Sequence, residues 1–342
     1  MSNDVVGLNQ RTETSYIRML VRGFETLGID WRSLYESVGV SPEDILTEGG
    51  IIDHGQTVRF WEKLSSVVDD DLVGLRVAET VEPKAFGVVC YLLLSCETFG
   101  EGLRRFISYQ ELHWTALQVR VQEVGNYVDI YWDVSREDTP HQVECKVLIF
   151  FKLFNWVVDG ELLPQHVSFS HSCRGGGDEY RRLFGCDVKF SQAGNRIRIP
   201  ASSMDLPSEH ANFQLSVVHE QLARQQMDEL LEHELVRTLR RFIEQNLELG
   251  EADVNAAADY LHVSVRTLQR RLANAGTSFH VILDGVRRRL AVSYLRATDV
   301  SVTEIAHLLG FTEASTFDRA FKRWMGQPPG EFRREYRQDR LS

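Results

Sequence analysis

The chain offers little of what a membrane protein, a secreted protein or an enzyme needs. No stretch approaches the roughly eighteen consecutive apolar residues of a membrane-spanning helix. The opening residues, MSNDVVGLNQ, lack a signal-peptide pattern, so a cytoplasmic protein with no membrane partner is expected. The five cysteines, Cys90, Cys96, Cys145, Cys173 and Cys186, form an odd set at no metal-ligand spacing, which predicts reduced, mostly buried thiols and no metal site. His166 and His171 bracket a strand on its opposite faces and are not expected to share a metal. Arg174-Gly175-Gly176-Gly177 lacks the Lys-Ser/Thr ending of a phosphate loop and reads as a flexible lead into the short helix DEYRRLFG. Gly-x-Ser-x-Gly, His-Glu-x-x-His and Cys-x-x-Cys are all missing. Neither catalysis nor a bound cofactor is therefore expected.

Positive charge is also scarce overall, with 38 Lys+Arg against 49 Asp+Glu and a net charge of -11. The deficit is uneven. Residues 251–342 hold 14 basic and 11 acidic residues, whereas residues 1–250 hold 24 and 38. A mildly basic module is thus joined to an acidic one, and at 342 residues and 43% hydrophobic the chain is long enough for two cores. So small a surplus predicts phosphate contacts from local clusters rather than from a broad field.

The basic module contains one motif twice, about 48 positions apart. The first copy runs DVNAAADYLHVSVRTLQRRLANAG, Asp253 to Gly276, and the second SVTEIAHLLGFTEASTFDRAFKRWMG, Ser301 to Gly326. Val254/Val302, Ala258/Ala306, Leu261/Leu309, Leu268/Phe317 and Arg270/Arg319 match if the second turn is one residue longer. Each copy reads as a helix-turn-helix unit. Ser301 and Glu304 form a capping box ahead of the stripe Val302, Ile305, Leu308 and Leu309, Gly310 supplies a tight turn, and Thr312 is the expected N-cap of the next helix. In the first copy Asp253 and Ser264 are the caps, and His262 stands where the second has Gly310, so the first turn is expected to be the more strained. Between the copies FHVILDGVRRRLAVSYLRA is helical by period, its apolar face crossed by the run Arg287, Arg288 and Arg289, a strut that would set the spacing of two reading helices. If that spacing is near one turn of B-DNA, roughly 34 Å, both enter successive major grooves.

With RTLQRRL, GTSF, EIAHLLGF, FDRAFKRWMGQPP and EFRREY in this order, residues from about 240 to 340 resemble the DNA-binding domain of AraC/XylS-type bacterial transcription regulators. The resemblance implies base contacts from Arg266, Gln269 and Arg270 in the first reading helix and from Ser315, Asp318 and Arg319 in the second. It also implies phosphate contacts from Thr267, Thr316, Lys322 and Arg323. Solvation of a helix face is the competing reading for several of these, as is an Asp318–Lys322 pair across one turn.

Residues 1 to about 215 read as helices first (SYIRMLVRGFETLG, DWRSLYESVG, SPEDIL, QTVRFWEKLSSVV, AFGVVCYLLLSC, EGLRRFISYQELH) and then as strands (ALQVRVQEV, NYVDIYWDV, HVSFSH, RIRIP), with HQVECKVLIFFKLFNWVVDG a buried helix on the sheet. The expected fold class is an α+β N-terminal effector domain followed by an all-α C-terminal domain with two helix-turn-helix units. LVRGFETLGID, GVSPEDI, YLLLSCETFGEGLRRFISY, PQHVSFSH and EYRRLFGCDVKF resemble the effector domain of an AraC subgroup often labelled arabinose-binding, a label that identifies no ligand. Aromatics such as Tyr91, Phe106, Trp114, Trp132, Phe150 and Phe154 either line an effector pocket or fill the core. The expected domains are 1–215 for effector binding, 216–240 as a helical linker and 241–342 for DNA. Leu215, Val218, Leu222, Leu230 and Leu235 in FQLSVVHEQLARQQMDELLEHELVRTLRRFIEQNL make this region either a dimer seam or a plain packed connector. The partners implied are promoter or operator double-stranded DNA, an unidentified small-molecule effector, RNA polymerase and a second copy of the chain. The expectation is a ligand-responsive activator, with a ligand-independent regulator or a repressor as the alternative.

Overall fold

Buried apolar residues fall into two separate clusters, and the chain divides accordingly between Met227 and Asp228. The computed structural model describes residues 11–47, 50–82, 87–112 and 117–339. Trp114 lies outside them.

The first unit opens with β1 (Arg11–Glu13), α1 (Thr14–Thr26), α2 (Trp31–Glu36), α3 (Pro42–Leu46), β2 (Ile51–Asp53) and α4 (His54–Val67). It continues with α5 (Val73–Thr80), α6 (Gly87–Ser95), α7 (Phe99–Ser108), β3 (Leu117–Val124), β4 (Tyr127–Val134) and α8 (Pro140–Val157). β5 (His166–Ser168), α9 (Gly177–Phe184), β6 (Asp187–Lys189) and β7 (Asn195–Pro200) complete it. β1 and β2 pair in a small ladder, and the main sheet has the order β3-β4-β7-β5-β6, antiparallel except for β5 and β6. The β3–β4 hairpin turns at Gly125-Asn126, as the dipeptide predicts.

Helix α8 is buried along nearly its whole length, which explains its unbroken apolar run. Thr139 caps it, accepting from the Gln142 N–H at 3.3 Å, with Pro140 in the first turn, where no N–H is needed. On the sheet it places four of these aromatics in the core, whereas Tyr91 is 46% exposed. The ring of Phe150 lies 5.7 Å from Phe106 and 6.0 Å from Trp132, and Phe154 lies 6.3 Å from Trp132, all in the core. Charged side chains here are paired: the carboxylate of Asp138 takes Lys146 Nζ at 2.9 Å and His54 Nε2 at 3.0 Å. Burial works against that carboxylate, but Lys146 and His54 hold its pKa below the ordinary value. Burial also pushes the thiols of Cys96 and Cys186 up to about 11 and that of Cys145 to about 12, which makes them poor nucleophiles. Cys173 is exposed. The glycine run does introduce α9: Gly176 is its N-cap at φ +62°, where a Cβ would meet Leu72 at 2.9 Å.

Helix α10 (Phe213–Asn246) is continuous over 34 residues and contains the division point. The second unit continues with α11 (Val254–Tyr260), α12 (Val265–Asn274), α13 (Phe279–Ala297), α14 (Val302–Leu308), α15 (Ala314–Met325) and α16 (Pro329–Asp339). Its single core joins Leu239 and Ile243 of α10, Leu268 and Leu272 of α12, Val286 and Leu295 of α13, and Phe317 and Phe321 of α15. Among the described residues no helix is long and apolar enough to cross a membrane.

Candidate nucleic-acid interface

The two copies of the motif share one turn geometry. Helix α11 ends with His262 N–H donating to the Asp259 carbonyl at 3.0 Å and Val263 N–H to that of Ala258 at 3.0 Å. Forty-eight positions on, Gly310 N–H reaches the His307 carbonyl and Phe311 N–H that of Ala306, both at 2.9 Å. The central residue is left-handed in both, with φ of +53° at His262 and +68° at Gly310. A β-carbon is costly in that region for an L-residue, about 1–2 kcal/mol, against the smaller entropic cost of glycine. His262→Gly is therefore expected to stabilise the protein slightly, by about 0.5 kcal/mol, and a urea melt in which the midpoint falls instead would show that the imidazole makes a compensating contact.

The extra residue of the second copy lies after this turn, and it moves the cap. Ser264 caps α12, its Oγ accepting from Thr267 N–H at 3.1 Å. In the second copy the N-cap is Glu313, with no side-chain cap bond, and Thr312 stays outside the helix. This corrects the cap expected from sequence, and the reason is Phe311. Its ring is buried against Phe317 at 5.6 Å and Trp324 at 6.3 Å, and the chain needs two further residues before the helix can begin. The other caps stand as expected: Asp253 accepts from Asn255 and Ala256 N–H, and Ser301 from Glu304 N–H at 3.1 Å.

Both second helices bury one side and leave the other open. On α12 Leu268 and Leu272 are in the core while Arg266, Gln269 and Arg270 are exposed at i, i+3 and i+4, with no ion pair or hydrogen bond to another described side chain. On α15 Phe317 and Phe321 are buried, and Ser315, Asp318 and Arg319 share the exposed face. This second face is partly committed, since Ser315 Oγ donates to Glu313 at 3.1 Å and Arg319 Nη2 to Thr316 Oγ1 at 3.3 Å. Thr267 Oγ1 lies 2.8 Å from Ser264 Oγ within the cap. Lys322 is exposed, and among the described residues no ion pair joins it to Asp318. Arg323 is held by Asp284 of α13 at 2.6 Å, a carboxylate that also accepts from Trp324 Nε1 at 3.3 Å. The two faces thus differ in charge, with two arginines and a glutamine on the first and an arginine beside an aspartate on the second.

The strut α13 is fastened to the second copy by a residue that sequence reasoning placed only in a run of three arginines. Arg287 Nε donates to the Leu309 carbonyl at 2.9 Å and Nη2 to that of Gly310 at 3.1 Å, while its guanidinium stacks 4.3 Å from the Phe311 ring. Burial lowers its pKa from the usual guanidinium value. Gly310 is hemmed in from the other side as well, since a Cβ there would sit 2.8 Å from the Leu247 carbonyl oxygen. The signal available in the sequence was an arginine amid the apolar face of a helix, a place where a charged donor is tolerated only with acceptors to satisfy. Arg287→Ala leaves two helix-end carbonyls without a partner and should destabilise the second unit by about 2–4 kcal/mol. Arg287→Lys should not restore the loss, because an ammonium cannot bond two carbonyls and stack at once. Equal urea midpoints for the wild type and both variants would remove Arg287 from this role.

The chain is similar to known proteins over both units. Residues 28–208 match the family described as the arabinose-binding domain of AraC transcription regulators, N-terminal, and residues 257–335 match a helix-turn-helix domain. The ornithine utilization regulator of Pseudomonas aeruginosa is 24% identical over 331 residues, covering 93% of this chain and 95% of its own. The transcriptional regulator VirS of Mycobacterium tuberculosis is 26% identical over 284 residues, covering 81% and 82%. The crystal structure of the transcriptional regulator CdpR from Pseudomonas aeruginosa aligns over 94% of this chain and 98% of its own, at 23% identity and a TM-score of 0.49.

Proposed function

The chain belongs to the AraC-type transcription regulators, and from that premise we propose that it is a ligand-responsive activator acting in the cytoplasm, which reads two successive major grooves of promoter DNA. The observation that carries this reading is the pair of exposed faces on α12 and α15, held by one core and one strut. Arg266 and Arg270 suit guanine, Gln269 adenine, and Asp318 the amino group of cytosine. Thr267, Thr316 and Lys322 are assigned to phosphates, and Arg323 can join them only by giving up Asp284.

In this reading residues 1–215 bind the effector, residues 216–240 connect and residues 241–342 engage DNA. Support for a sensing role comes from an acidic α+β unit of the family's effector type with no catalytic motif in its sequence. One relative is named for ornithine utilization, so amino acids and their amines are the first effectors to try. Leu215, Val218 and Leu222 are exposed on α10 at 48%, 55% and 42%, which favours a second copy packing there. An effector acts by its differential affinity for two conformations. The test is to sequence genomic fragments retained by the purified full-length protein and to assay transcription from them with and without candidate metabolites. Retention of discrete promoters with a metabolite-dependent output supports the proposal. Discrete promoters with an output indifferent to a broad metabolite panel would leave a ligand-independent regulator.

A further inference from the structure

A groove runs between the second half of α10 and α13, and the reading faces make no use of it. Its apolar lining offers the exposed Val281 and the partly buried Val236, Trp324 and Met325, lying over the buried Ile282 and Val286. Its sides carry Arg237 and Arg240 on α10 and Arg288 and Arg289 on α13, against Glu232 as the carboxylate of the lining. Arg237 pairs with Glu234 at 2.6 Å and Arg289 pairs with Glu244. Arg240 and Arg288, one from each helix, are exposed, and among the described residues neither enters an ion pair. Val281 is 60% exposed, and Gly285 leaves a notch where a Cβ would meet nothing within 4 Å.

Size and chemistry narrow the occupant. At about 1170 Å³ the groove is larger than the roughly 300–1,000 Å³ of small-molecule sites. A DNA backbone would satisfy the arginines and leave the apolar floor uncovered. An amphipathic helix with carboxylates on both flanks of its apolar stripe satisfies both at once, charge at the sides and hydrocarbon below. We propose that this groove docks an acidic amphipathic helix of a partner protein, gripped by Arg240 and Arg288 and seated on Val236, Val281 and Trp324. The proposal goes beyond DNA reading and effector sensing, since it needs neither.

The probe is a fluorescein-labelled helical peptide with leucines at i, i+3, i+4 and i+7 and glutamates on both flanks, titrated against the full-length protein by anisotropy. A peptide of the same composition in scrambled order is the control. The ordered peptide should bind at least about tenfold more tightly than the scrambled one, and Arg240→Glu with Arg288→Glu should remove at least that much. Arg240→Lys with Arg288→Lys should retain most of the binding, which separates loss of charge from misfolding. Operator footprints should be the same for all three proteins. Equal affinity for the two peptides, or charge reversal without effect, overturns the proposal. So does a parallel loss of operator affinity and of its salt dependence, which would give the groove to DNA. Dissociation of an oligomer by the same reversal would give it to a second copy and overturn the proposal equally.

Discussion

Arg270→Ala and Arg319→Ala are each expected to weaken operator binding by about 5- to 150-fold, and to do so in different halves of the site. The magnitude follows from a bidentate arginine–guanine contact, worth about 1–3 kcal/mol of discrimination. The separation follows from the repeat: Arg270 lies on α12 and Arg319 at the matching place on α15, each two positions after a buried anchor, Leu268 and Phe317. Neither arginine supports the core, so both variants should melt like the wild type. Of the two, Arg270→Ala should be the more damaging, because its face carries no carboxylate, whereas Arg319 shares its face with Asp318. Affinity measured on operators with each half-site randomised in turn checks this. Unchanged affinity and unchanged half-site preference in both variants would remove α12 and α15 as the reading helices.

Val286→Pro should be more destructive still. Val286 is 3% exposed in the middle of α13, so proline removes an interior helical hydrogen bond, clashes with the preceding turn and thins the core, at about 3 kcal/mol or more. Since α13 carries Arg287, a break in it also releases the clamp on the Leu309 and Gly310 carbonyls. Simultaneous occupation of two half-sites should be lost even where one survives. Val286→Ala, which shortens the side chain without breaking the helix, should keep both. If Val286→Pro still protects both half-sites, the two motifs act as independent readers and the strut sets nothing.

Much of the DNA-binding unit was legible because its signals are local. Caps at Asp253, Ser264 and Ser301, a glycine at Gly310 and a 3.6-residue apolar period place α11 to α15 within a few residues. Where local signals failed, a tertiary contact had decided the matter. Thr312 is the better capping residue by chemistry, yet Glu313 takes the position because Phe311 must first reach the core. Arg287 was legible as a charge on an apolar face but not as a clamp, since its acceptors lie 22 and 23 residues away. In the first unit α8 and the β3–β4 hairpin follow from composition and period, whereas β1, β2 and β6 are three residues each and too short to show an alternation. The aromatics divided the same way. Composition leaves Trp132 and Phe150 open between pocket and core, and only the packing of α8 on the sheet assigns them to the core.

Hydroxyl-radical footprinting of the full-length protein on a selected operator decides whether one chain reads DNA with two copies of the same device. Two protected windows are expected on one face of the duplex, separated by about 10–10.5 base pairs. Arg270→Ala should erase one window and Arg319→Ala the other. A single window, windows on opposite faces, or both substitutions erasing the same window would contradict reading by two copies.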